Sequence, residues 1–320
     1  LITAMLVSLT LFCLSFIILW IASGIIVKSI SRIATGLSMS SFFASFFILG
    51  LFTSITEIMV GLNAYLNNTP EIFLGNLIGS SVVIYLLVIP LLAILGRNIY
   101  LNHSVSLHNI ILSGVVVGLP AFFTLDDSFS NLDAAICILV YGAFLINLKF
   151  SQPTTNKTKI KSLKTRDFLK HILKIIGASL LIFASSKILI IQTNNIGQIF
   201  NISPYIISIL AISIGTNVPE ITISIRAIIE KKKAVALGNY LGSTSLNTLE
   251  LSLLSLLTPD SVPAHGSNYS ILIFIFGLFL FVFFAKSSKI LTRNEGLLLL
   301  SCYFIFVLFE LTTGPSWKFI

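Results

Sequence analysis

Glu57 and Glu220 stand near the middle of two long apolar stretches, "GLFTSITEIMVGLNAYL" and "ISIGTNVPEITISI". A charge at the centre of a membrane span costs at least ~2.5–3.5 kcal/mol on insertion scales, so packing alone does not explain either residue. Helical spacing gathers oxygen-bearing groups around both. Ser54, Thr53 and Gly50 lie three, four and seven residues before Glu57. Asn217, Thr216 and Ser213 take the same offsets before Glu220, with Ser224 four residues after it. Each set therefore shares one helix face. Asn76 and Ser80 share a face of a third segment, and Asn239, Ser243, Asn247 and Glu250 recur on a fourth. Oxygen donors without His or Cys select hard cations such as Na+, Ca2+ or Mg2+, and a Ca2+ ion takes about six to eight oxygens. Two carboxylates, several hydroxyls, Asn amides and freed carbonyls make up such a set. Glycines at 50, 75, 79, 238 and 242 permit close helix approach and local unwinding. Pro219 removes a helical hydrogen bond and frees a carbonyl.

The elements that must hold these groups are membrane helices. Of 320 residues, 56% are hydrophobic and 10% charged, against about 25% charged in soluble domains. With a mean hydropathy of +1.00, too little polar surface remains to coat a water-soluble globule. Ten spans are expected, at about 3–27, 40–66, 71–95, 107–124, 131–149, 168–191, 203–229, 234–258, 268–286 and 292–313, each of roughly the 20 residues a bilayer requires. The first is too long for a signal-peptide core and has no basic residue before it. The absence of an initiator Met suggests a trimmed chain.

The net charge of +8 does not imply nucleic acid, because most Lys and Arg fall in short loops between spans, the pattern that sets membrane orientation. The segment Lys149–Lys170 alone holds seven of the twenty basic residues and separates five spans from five. If it is cytoplasmic, so are Lys28, Arg32, Arg97, Lys231–Lys233, Lys286, Lys289 and Arg293. The opposite loops, "NNTPE", "LDDSFSNLD", "QTNN" and "TPDSVPAHGS", carry no Lys or Arg, and both termini then lie outside. The chain reads as a first repeat over 1–150, a basic linker over 151–167 and a second repeat over 168–320.

Those halves share a pattern. "LGNLIGS" at Leu74–Ser80 returns as "LGNYLGS" at Leu237–Ser243, 163 positions on. The same shift lays Thr53 on Thr216, Glu57 on Glu220, Asn76 on Asn239 and Ser80 on Ser243. Five spans per half invert the second half, giving an all-α polytopic membrane protein of two inverted five-helix repeats. Secondary transporters are commonly built this way, with the substrate site near the midplane where the repeats meet.

These residues resemble the repeats of the cation/Ca2+ antiporter superfamily, the sodium/calcium exchangers and their relatives. The family pattern is approximately G-T-S-x-P-E, then G-N-x-x-G-S about twenty residues later, once per half. "GTNVPE" with "GNYLGS" matches it with Asn217 for Ser, within a region of about 213–247. "FTSITE" with "GNLIGS" matches with Phe52 for Gly and Thr56 for Pro, within about 50–84. The resemblance implies exchange of Ca2+ for Na+ by alternating access, with Glu57 and Glu220 as shared ion ligands. Thr53, Ser54 and Ser80 would serve from the first half, and Thr216, Asn217, Ser243 and Asn247 from the second, with Gly50, Ser213, Asn76 and Asn239 beside them. Family members commonly carry an acidic or amide residue four positions after the G-S serine. Asn247 fills that slot, whereas Ile84 in the first half has no coordinating atom.

Two carboxylates balance one Ca2+, two Na+ or two protons, so an H+-coupled exchanger, or one moving Mg2+ or K+, is the nearest alternative. No cofactor is expected. An intramembrane enzyme is disfavoured by the lack of HExxH, of a paired membrane Asp, and of a nucleophile with a His partner. A passive channel would draw its symmetry from an oligomer, whereas this chain carries its own and is expected to act as a monomer. The expected setting is a prokaryotic inner membrane.

The remaining polar residues have plainer readings. Cys13, Cys137 and Cys302 are packing residues without metal-ligand spacing. Glu250 is weighed between packing and lining the pathway, and Glu310 reads as interfacial or packing. Arg226 snorkels toward the cytoplasmic face. Asp126, Asp127 and Asp133 form a solvated loop, and the four histidines show no ligand spacing.

Overall fold

The structure, a computed structural model, describes residues 2–34, 46, 50–96, 98–100, 107–150, 165–218, 220–221, 233–287 and 290–313. Expectations for Pro219, Ser224, Arg226, His103, Arg97, Lys231, Lys232, Lys289 and the body of the linker fall outside these residues. Helix α1 (Ile2–Ala34) is followed by a span in two pieces, α2 (Gly50–Thr53) and α3 (Ile55–Leu66). The third span is α4 (Pro70–Val82), a π-helical stretch at Val83–Val88, and α5 (Ile89–Gly96). Pro90 lacks the N–H that would reach the Leu86 carbonyl, a local cause for the changed winding. Helices α6 (Leu107–Phe123) and α7 (Asn131–Phe150) complete the first half.

The second half repeats the plan at the same shift of 163. Helix α8 (Thr165–Phe200) answers α1, and α10 (Ser213–Thr216) answers α2 residue for residue. Helix α9 (Pro204–Ile207) leads into α10 through a π-helical stretch at Ser208–Ile212. Helix α11 (Lys233–Leu257) starts where Pro70 predicts, and α12 (Asn268–Ser287) and α13 (Arg293–Thr313) answer α6 and α7. Two short antiparallel ladders obey the same relation within one residue. β1 (Ile99–Tyr100) pairs with β4 (Ile290–Leu291), and β2 (Ser128–Phe129) pairs with β3 (Val262–Pro263). These are the ten spans in two inverted five-helix repeats. Seven of the described helices are long and apolar enough to cross a membrane unaided, and the broken second and seventh spans supply shorter pieces.

The counterparts α1 and α8 pack along each other at one side, touching the rest mainly through α3, α2 and α10. Their outward Leu, Ile and Trp side chains, like those of α12 and α13, are exposed, as suits a surface solvated by acyl chains. The centre is the reverse: from Ile72 to Val83 nearly every side chain of the third span is buried, and α11 lies against α2, α3 and α4.

One expected loop is helix. "QTNN" at 192–195 lies inside α8. Thr193 donates its hydroxyl to the Leu189 carbonyl at 2.9 Å, and Asn195 donates to Gln192 at 3.2 Å, so the polar side chains are satisfied without a loop. The chain turns later, at Asn201 with φ 53°. The acidic loop has a structural task as well. Ser130 and Asp133 form a reciprocal cap on α7, with 2.8 Å from the Ser130 N–H to Asp133 and 3.2 Å in return. Thr292 and Glu295 build the same cap on α13.

Candidate ion-binding site

Both functional spans break at equivalent residues. Between α2 and α3, Ser54 has ψ −2°, and after α10, Asn217 has ψ 8°. Each break residue keeps a backbone bond on either side: Ser54 N–H donates to the Gly50 carbonyl at 3.1 Å and Ile58 N–H to the Ser54 carbonyl at 2.9 Å, while Asn217 N–H donates to the Ser213 carbonyl at 3.3 Å and Ile221 N–H to the Asn217 carbonyl at 3.1 Å. Eight residues before each break, the other repeat's Gly-Asn-x-x-Gly-Ser helix presses in. A Cβ on Gly79 would lie 2.4 Å from the Ile209 carbonyl oxygen, and one on Gly242 would lie 2.1 Å from the Phe46 carbonyl oxygen. Ile209 and Phe46 are themselves related by 163 positions, so one crossing is built twice.

All thirteen expected site residues are buried, Glu57 and Glu220 completely. Their hydrogen bonds form matched pairs across the two halves. Thr53 donates to Asn239 Oδ1 at 3.3 Å, and Thr216 donates to Asn76 Oδ1 at 3.2 Å. Ser54 and Ser243 hydroxyls lie 3.1 Å apart, while Asn217 donates to Ser80 at 2.8 Å. Ser80 donates to Glu57 and Ser243 to Glu220, each at 3.4 Å. The Thr53 hydroxyl also approaches the Glu220 carboxylate, and the two carboxylates are close enough to interact electrostatically. Gly50 and Ser213 contribute differently. Gly50 meets the backbone of Gly242 and Ser243, and the Ser213 hydroxyl is bound to the Ile209 carbonyl at 2.6 Å.

The symmetry fails where the two sequences differ. Asn247 donates to Ser80 at 2.9 Å, but its counterpart Ile84 is a buried hydrocarbon. Thr56 was legible only as a departure from proline, yet its hydroxyl occupies the centre of the site. It lies 2.8 Å from Glu57 Oε2, 3.0 Å from the Thr53 carbonyl and 3.3 Å from the Thr216 carbonyl.

Three buried oxygens, Glu220 Oε2, Asn217 Oδ1 and Asn247 Oδ1, accept no hydrogen bond. Buried acceptors are normally paired, and a cluster left without donors suits a cation, which satisfies oxygens and neutralises the carboxylates together. A cavity of about 10 Å3, near the space one water needs, adjoins Asn247 between α4, α6 and α11. It lies beside Pro120, an interior proline of α6, where the Val116 carbonyl accepts instead from Thr248 at 3.0 Å.

An oxygen-lined, buried site, doubly built at the crossing of inverted repeats, defines a membrane transporter of cations. The chain matches the family model described as sodium/calcium exchanger protein over residues 7–150 and 170–312, and it belongs to that family. Members of this family are transporters, not enzymes. Among its relatives, an uncharacterized membrane protein of Methanocaldococcus jannaschii is 27% identical over 92% of this chain and 95% of its own length. The putative antiporter CaxA of Alkalimonas amylolytica is 26% identical over 90% and 93%. Inner membrane protein YrbG of Escherichia coli is 24% identical over 80% and 82%. The solved structure of the sodium-calcium exchanger NCX_Mj soaked with 2.5 mM Na+ and 10 mM Sr2+ superposes with a TM-score of 0.67 at 24% identity, covering 95% of this chain and 99% of that one.

Proposed function

We propose that this protein exchanges Ca2+ for Na+ across the membrane by alternating access, with one central site shared by the two ions. The observation that carries this reading is the matched set around Glu57 and Glu220, in which each repeat supplies a carboxylate and the other repeat supplies part of its surroundings. Glu57 and Glu220 would be the central ligands. Thr53, Ser54, Ser80, Thr216, Asn217, Ser243 and Asn247 would complete the shell, with Asn76 and Asn239 orienting the two threonines. Gly50 and Ser213 would hold the helix crossings.

Coupling follows from charge. An empty pair of carboxylates in a closed, water-poor bundle is costly, so the conformation that moves the site between faces is reached only when it is loaded. One Ca2+ or two Na+ neutralises the pair. The relatives named as a putative antiporter and as an inner membrane protein support placement in a prokaryotic inner membrane. The basic linker would then be cytoplasmic, dividing repeats 1–150 and 168–320, with both termini outside and a single chain sufficient for transport.

The test is 45Ca2+ release from loaded proteoliposomes under an inward Na+ gradient, under a pH gradient, and under neither, for the native protein and Glu220→Gln. Release that requires Na+ and disappears in the variant is the expected result. Release driven by pH alone would replace Na+ with H+ as the coupling ion, and no release under either gradient would refute Ca2+ exchange.

A further inference from the structure

Glu250 takes no part in the hydrogen bonds of the candidate site. It lies on α11 three residues beyond Asn247, on the stripe that includes Asn239 and Ser243. It is 8% exposed, and neither carboxylate oxygen has a hydrogen-bond partner. Its electrostatic neighbours are Glu57 of α3 and Tyr141 of α7, both acidic groups, and no basic side chain among the described residues pairs with it. Protonation alone would not satisfy such a group, because a neutral carboxyl still carries one donor and an acceptor that need partners. Among the described residues, the other buried acid outside the site has partners for one of its two carboxylate oxygens. Glu310 accepts from the Ser267 N–H at 3.3 Å and from the Ser270 hydroxyl.

Position adds to the argument. Glu250 is seven residues short of Leu257, the end of α11, so it stands about 10 Å from that end at the helical rise of ~1.5 Å per residue. It lies between the central site and that face of the membrane. The counterpart on the opposite side is Leu87, so the acid is present on one side only.

We propose that Glu250 is the anchor of an accessory monovalent cation position, adjoining the central site on the Leu257 side, and that Na+ is its occupant during exchange. The proposal rests on the Na+-coupled reading above. A single carboxylate balances one monovalent ion. It would leave a Ca2+ ion only half neutralised, so Ca2+ stays at the Glu57–Glu220 pair. The accessory ion raises the Na+ bound per Ca2+ released above the number the central pair holds alone.

The experiment uses full-length protein in proteoliposomes loaded with 45Ca2+, with either external Ca2+ or a series of external Na+ concentrations balanced with choline. Native protein, Glu250→Gln and Glu250→Asp are compared. For Glu250→Gln, Ca2+/Ca2+ self-exchange should stay within about twofold of native, which also shows the variant to be folded. In the same variant, the Hill coefficient for Na+ should fall by about one and the half-activating Na+ concentration should rise by about threefold to tenfold, the upper end corresponding to ~1.4 kcal/mol. Glu250→Asp should keep the native Hill coefficient. Coincident Na+ curves for native and Glu250→Gln would overturn the proposal. Equal loss of self-exchange and Na+-driven release would also overturn it, by making Glu250 part of the central site. Absence of Ca2+ self-exchange in the native protein would instead refute the exchanger reading itself.

Discussion

The Thr56 hydroxyl lies 3.3 Å from the Thr216 carbonyl oxygen, joining the helix break of one repeat to that of the other across 160 residues of sequence. It is also within reach of Glu57 Oε2 and the Thr53 carbonyl. One hydroxyl carries one proton, so two of these three acceptors are always left to another partner. A cation arriving among them competes with a single hydrogen bond rather than with a closed network.

Thr56→Val keeps the shape of the side chain and removes the donor. A hydrogen bond to a charged group is worth about 1.5–3 kcal/mol, so half-saturating Ca2+ in self-exchange should shift by about tenfold or more. Thr56→Ser should recover most of the native value. A Val variant with native Ca2+ dependence would mean that the hydroxyl only fills space.

Gly79 and Gly242 are predicted to be equivalent. An added Cβ meets backbone carbonyl oxygen in both cases, at 2.4 Å and 2.1 Å, and backbone yields less readily than a side chain. Gly79→Ala and Gly242→Ala should each lower stability by about 1–3 kcal/mol and reduce transport per folded molecule by similar factors. Gly142→Ala, where a Cβ meets nothing within 4 Å, should leave both unchanged. The comparison needs only thermal melting in detergent and 45Ca2+ flux. Strongly unequal effects of the two site substitutions would argue against a shared crossing geometry.

The doubled heptapeptide, the two midplane carboxylates and the inversion were legible because each is a local pattern repeated at one shift. The third and seventh spans, expected from about 71 and 203, start at Pro70 and Pro204, where a proline suits the first turn of a helix. What escaped depends on contacts between distant segments. The role of Thr56 requires Thr216 to be beside it, and nothing local distinguishes that threonine from a weak match to proline. "QTNN" misled because four polar residues in a row resemble a loop, whereas α8 satisfies them through its own turns. Asp133 was visible as charge but not as half of a cap, although Ser130 three residues earlier was the available signal.

Ile84 makes the two repeats unequal, and its replacement tests what the inequality does. Ile84→Asn would set an amide opposite Ser243 as Asn247 stands opposite Ser80. Burying that amide where Ile84 is wholly enclosed costs about 1–3 kcal/mol unless it finds its partner. Ile84→Val, which adds no polar atom, should leave the Na+ dependence of release unchanged, while Ile84→Asn should alter it. Identical Na+ curves for all three proteins would show that this position does not tune ion binding.

Glu310 separates stability from transport. It joins the end of α13 to the start of α12 by accepting from the Ser267 N–H and the Ser270 hydroxyl, which is the work of a helix cap supplied by another helix. Loss of a cap costs about 1 kcal/mol, and in a chain of 320 residues such a loss moves the melting point by about 1–2 °C, because the unfolding entropy grows with length. Glu310→Leu, which removes the acceptor, should therefore melt lower by at least that amount while Ca2+ exchange per folded molecule and its Na+ dependence stay native. If the melting point holds and the Na+ dependence changes, Glu310 acts on the ions and not on the fold. That outcome would remove the contrast drawn between this paired acid and the unpaired Glu250.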